Sequence, residues 1–94
     1  MMRDKVKEDV DQKRFELPIA DDAIAAAYYR PDGADVVLVH TEVPEEFSGR
    51  GIATELAHGT FGLLRKTGRK AILKCPFMSS FVARHPEYAD LVAG

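Results

Sequence analysis

The apolar positions of this chain run first in extended blocks, then at helical spacing, and finally in a brief alternation before a last helical stretch. Residues 13–17 and 23–30 read as two short strands joined by a turn over 18–22, with Tyr28 and Tyr29 on opposite faces of the second. Pro31-Asp32-Gly33 is a turn signal, so the second strand and the β-branched run Val36-Val37-Leu38-Val39-His40-Thr41-Glu42-Val43 should form a hairpin. From 50 to 66, Ile52, Ala53, Leu56, Leu63 and Leu64 recur at helical spacing, and Gly68 sits where a C-terminal cap belongs. Residues 70–75 alternate as a strand does, Pro76 ends it, 77–84 read as a helix, and Pro86 suits the first turn of a final helix reaching Val92. The expected order is three strands in meander, helix, strand, helix. This is an α+β layer whose mostly antiparallel sheet gains one parallel pair through the crossover after Val43.

Length and charge narrow the function. Ninety-four residues hold one core and no second domain, and residues 1–12, rich in charge, are expected to pair only loosely with it. With 13 basic against 15 acidic residues the net charge is -2, which offers no general attraction to nucleic acid or anionic lipid. No apolar run is long enough to span a membrane, and the charged start lacks a secretory signal's apolar core, so a cytoplasmic location is expected. The single cysteine, Cys75, has no disulfide partner, and no spacing of cysteines or of His40, His58 and His85 suggests a metal site.

Ser48-Gly49-Arg50-Gly51-Ile52-Ala53 is the most informative segment. It places two glycines between an extended run and an amphipathic helix, where the main chain can turn tightly and leave first-turn amides pointing outward at the positive end of the helix dipole. Such a mouth favours an anion. The spacing fits neither the Walker A loop, which ends in Gly-Lys-Ser/Thr, nor the dinucleotide fingerprint. Taken alone, the hexapeptide reads equally as a helix start with no ligand.

Further stretches point to a family. His40 to Phe47, then Ser48 to Ala53, Cys75-Pro76-Phe77 and His85-Pro86-Glu87-Tyr88 resemble the small stand-alone yjdJ-type branch of the GNAT superfamily of acyl-CoA-dependent N-acyltransferases, over about residues 15–92. The resemblance implies that the backbone of Ser48, Gly49, Arg50, Gly51, Ile52 and Ala53 cradles the pyrophosphate of acetyl-CoA. It also implies that the strands after the hairpin and after the helix splay apart to admit the pantetheine arm, and that the acceptor is an amine. Ser48 stands where the family pattern has Gln or Arg, and Arg50 is positioned to supply the charge instead.

The same resemblance places Cys75 beside the thioester. A thiol there can protonate the departing thiolate or attack the acetyl carbonyl, while its plain reading is a small buried hydrophobe. Many members use a tyrosine in the following helix as the acid, but Phe81 or the adjacent Val82 falls there, and neither has a proton to give. Ser79 and Phe81 are expected to contact the cofactor. His40 and Glu42, two apart on one strand, share a face and are the candidates for the base that deprotonates the amine, directly or through water. An amide near Val43 would meet the thioester oxygen. The expectation is an N-acetyltransferase with catalytic Cys75, His40 and Glu42. A non-catalytic acyl-CoA binding module is the alternative.

Overall fold

In a computed structural model, which describes residues 2–93, the chain forms a five-stranded sheet with α1 (Ile52–Lys66) and α2 (Pro76–Arg84) packed on it. The strands are β1 (Lys7–Asp9), β2 (Arg14–Ala20), β3 (Ala23–Asp32), β4 (Asp35–Glu42) and β5 (Ala71–Leu73), and they lie side by side in chain order. The first four run antiparallel, and β5 returns parallel to β4 after the α1 crossover. Three 3-10 helices, Met2–Lys5, Glu45–Phe47 and Pro86–Leu91, complete the order among the described residues.

Three local expectations shift. The hairpin turn is Gly33-Ala34 rather than Pro31 to Gly33, because Asp32 still pairs with Asp35 and Gly33 takes the positive φ of 61° that a two-residue loop demands. Pro18 lies inside β2 at a register irregularity near its end, where a missing amide costs little. The final helix, expected to reach Val92, is a 3-10 helix over Pro86–Leu91.

Residues 1–12 depart furthest from the loose association expected of them; Met1 lies outside the described residues. β1 adds a fourth strand to the meander, and Val6 is buried in the core. A Cβ added to Gly59 on α1 would meet the Val6 side chain at 2.3 Å, so this segment lies directly on the helix. Arg69 forks onto the Glu8 carboxylate at 2.8 and 3.1 Å, and the Tyr29 hydroxyl donates to the same carboxylate. The charges that made the segment look solvated are the groups that fasten it.

One core lies between the helices and one face of the sheet. Phe15, Leu17, Ala25, Ala27, Tyr29, Val36 and Leu38 come from the strands, and Leu56, Phe61, Leu64, Met78 and Phe81 meet them from α1 and α2. Burying each large side chain contributes about 1.5–3 kcal/mol. The opposite face carries Arg14, Glu16, Ala26, Tyr28 and Val37, outside that cluster. Among the described residues no helix is long and apolar enough to cross a membrane.

Candidate functional site

The site is set by a one-residue irregularity in β4. Tyr29 pairs with Leu38 and Tyr28 with His40, which leaves Val39 without a partner on β3. Such a bulge reverses the alternation beyond it. Val36 and Leu38 face the core before it; after it Thr41 and Val43 do, and His40 and Glu42 turn to the opposite face beside Tyr28 and Ala26. His40 and Glu42 therefore share a face, as expected, with Nε2 and Oε2 3.4 Å apart and both side chains more than half exposed. They do not share it with Cys75.

Beside the bulge, β5 leaves β4. Their parallel pairing runs from Val36 and Ala71 to Leu38 and Leu73, and then the amides of Lys74 and Cys75 both donate to the Leu38 carbonyl, at 2.9 and 3.0 Å. Cys75 caps the N-terminus of α2, its carbonyl receives the Ser79 amide at 3.1 Å, and its side chain is buried at 4% exposure. Thr41 Oγ1 stands 3.3 Å from Cys75 Sγ across the opening between the strands.

Val43, two positions beyond Thr41 and about 7 Å along the strand, begins a cavity of about 240 Å³ that continues over Phe47, Ser48, Gly49, Gly51, Ile52, Ala53 and Thr54. Gly49 and Gly51 have φ of 77° and 74°, left-handed values that disfavour any side chain, and a Cβ on either would project into open space. Gly51 is the N-cap of α1 and no side chain caps the helix, so its first-turn amides have no side-chain acceptor, and Gly51, Ile52, Ala53 and Thr54 line the cavity. Ser48 Oγ donates to the Glu45 carbonyl at 2.9 Å, which commits the hydroxyl to the loop itself. The Arg50 guanidinium lies over the Phe47 ring at 5.5 Å, exposed at the rim. The loop thus combines an open anion cradle with one nearby cation.

Phe81 is fully buried, packed among His58, Phe61, Phe77, His85 and Tyr88. It lies on the inner face of α2, where the core takes a large apolar group. Ser79 is exposed on the same helix. Near Phe81, His58 Nδ1 lies 2.8 Å from the Tyr88 hydroxyl. Burial, then the Arg3 charge, holds the imidazole below its ordinary value, and burial pushes the Tyr88 phenol up. A larger cavity of about 350 Å³ opens there, between Arg3, Val6, Gly62, Lys66 and Tyr88, and it contains none of the expected site residues.

Two groups escaped the sequence reading. Thr54 lines the cradle because it occupies the third position of α1, which only the exact helix start reveals. Thr41 faces Cys75 because of the Val39 bulge, for which the sequence carries no signal. The arrangement can hold an anionic group at the mouth of α1, and it sets a buried thiol against Thr41 where β5 leaves β4.

Comparison with known proteins agrees with this architecture. Residues 14–91 match the model of the GCN5-related N-acetyl-transferase family. The zebrafish (Danio rerio) Protein NATD1 is 31% identical over 92 residues, covering 94% of this chain and 84% of that protein. Its Xenopus tropicalis counterpart is 31% identical over 84 residues, covering 87% and 77%. The NMR solution structure of a GCN5-like protein from Staphylococcus aureus superposes with a TM-score of 0.70 at 24% identity, over 100% of this chain and 92% of that one, and so shares the fold. With family, relatives and fold in agreement, the chain belongs to the GCN5-related N-acetyltransferase family.

Proposed function

We propose that this protein transfers an acetyl group from acetyl-CoA to a primary amine. The observation that carries the reading is the uncapped mouth of α1, where two left-handed glycines and the first residues of the helix line an open cavity. The backbone of Ser48, Gly49, Arg50, Gly51, Ile52 and Ala53 would hold the pyrophosphate, and Val43 would lie against the arm leading to Cys75. Acetyl-CoA supplies the activated thioester when bound.

The chain's own contribution is then orientation and proton handling. The edge of β4 beyond Leu38, released from β5, leaves main-chain groups near Val43 for the thioester oxygen, where a donor stabilises developing negative charge. The amine attacks the carbonyl carbon, the carbon–sulfur bond breaks with its electron pair leaving on sulfur, and the Cys75 thiol protonates that sulfur. Attack by Cys75 itself, with a transient acetyl-cysteine, uses the same geometry. His40 and Glu42 lie on the other sheet face, so either one reaches the amine only through the strand opening or through water. The open surroundings suit a small-molecule amine or a protein amine as acceptor, and the net charge of -2 disfavours nucleic acid and membrane as partners. A cytoplasmic location fits the lone thiol.

Calorimetric titration with coenzyme A, followed by thiol release from acetyl-CoA with a panel of amines, tests the proposal. Saturation and amine-dependent thiol are expected, and Cys75→Ala should lower turnover by about 10²-fold. Intact-mass measurement then separates the two roles of Cys75, because only the covalent route adds one acetyl group that the variant lacks. Binding without turnover on any amine supports a second reading, a non-catalytic acyl-CoA binding module. The burial of Phe81 and the separation of His40 and Glu42 from Cys75 favour that reading.

A further inference from the structure

The geometry points to Thr41 as the residue that positions the Cys75 thiol for acyl transfer, an assignment that rests on the proposed function and adds a second side chain to its reacting end. Cys75 is held by its backbone on both sides: its amide donates to Leu38 and its carbonyl accepts from Ser79. What remains free is rotation about its Cα–Cβ bond. Thr41 Oγ1, 3.3 Å from Sγ, is the contact that selects one of the resulting sulfur positions. At 4% exposure, water has little access to take its place. Across β3 from Thr41 stands Ala27, fully buried, whose small side chain leaves the hydroxyl room to turn toward sulfur.

The bulge is what makes the pair possible. With regular alternation from Leu38, His40 and Glu42 would face the core and Thr41 would face away; the extra Val39 exchanges them. The strand thus delivers a neutral hydroxyl, able to donate or accept, to the one thiol of the chain. When Cys75 gives its proton to the departing sulfur, the Thr41 hydroxyl donates to the thiolate left behind. The proton shed by the acylated amine then restores Cys75. The overall change is amine plus thioester to amide plus free thiol, with no other reactant.

Thr41→Val removes the hydroxyl and keeps the branched shape, and Thr41→Ser keeps the hydroxyl. For Thr41→Val we expect kcat to fall about tenfold, the scale of one lost hydrogen bond, with KM for acetyl-CoA within about twofold. Thr41→Ser should recover most of the rate. In the Cys75→Ala background, Thr41→Val should cost nothing more, because the two act as a unit. Since the chain has one cysteine, its S–H stretching band in the infrared belongs to Cys75 alone. That band should move or change intensity in Thr41→Val and return toward the parent position in Thr41→Ser. A parent that binds and turns over, beside a Thr41→Val variant of unchanged rate and band, overturns the role of Thr41 and leaves the proposed function standing. So does an equal further loss in the Cys75→Ala background. A parent that fails to saturate with coenzyme A, or that saturates without turnover, overturns the proposed acyl transfer and this role together.

Discussion

The two ends of α1 solve opposite problems with the same backbone conformation. At the C-terminus, Gly68 adopts φ 71°, its amide donates to the Arg65 carbonyl at 3.2 Å, and the Arg69 amide donates to Leu64 at 2.9 Å, the paired bonds of a Schellman cap. Thr67 adds its hydroxyl to the Leu63 carbonyl at 2.8 Å. At the N-terminus, Gly51 adopts φ 74° and no side chain caps the helix. One end spends its glycine on closing hydrogen bonds, and the other uses it to keep donors open. Stability gathers at the first, and the proposed binding belongs to the second.

The largest effect expected at the closed end comes from Arg69→Ala, which strips the fork from the half-buried Glu8 carboxylate and releases β1. We expect a loss of about 1.5–3 kcal/mol in denaturant unfolding with coenzyme A affinity unchanged. Arg69, against the opposing effect of burial, holds the Glu8 carboxyl below the usual glutamate range, with Tyr29 helping. Because the folded value is depressed, this stabilisation is complete above the unfolded glutamate value and drains away as pH falls through the folded one. The variant should therefore lose part of the parent's acid-side slope in stability against pH.

A sharper comparison uses matched glycines. Gly51→Ala and Gly68→Ala each force a side chain into the left-handed region and should each cost about 1–2 kcal/mol. Only Gly51→Ala should also weaken coenzyme A, by tenfold or more in calorimetry. Equal affinities in the two variants would remove the distinction between the ends. The smallest effect separates the two hydroxyls that bond to main chain. Thr67→Val should lower stability by about 0.5–1.5 kcal/mol, whereas exposed Ser48→Ala should stay within about 0.5 kcal/mol and leave coenzyme A affinity within twofold.

Much of this molecule is written locally. The 3.6-residue spacing of Ile52, Leu56 and Leu64 determined α1, Gly68 its cap, Pro76 the start of α2, and the glycine pair the open loop before the helix, because period and backbone permissiveness act over a few residues. The tertiary structure alone decided the rest. Whether Lys7–Asp9 forms a strand depended on Arg69, some sixty residues away, accepting the charge of Glu8. The depth of Phe81 depended on how α2 meets α1. The pairing of β4 with β3, which leaves Val39 unmatched, chose Thr41 over His40 and Glu42 as the neighbour of Cys75. A side-chain period of two says which residues share a face. Only the register of the neighbouring strand says which face that is.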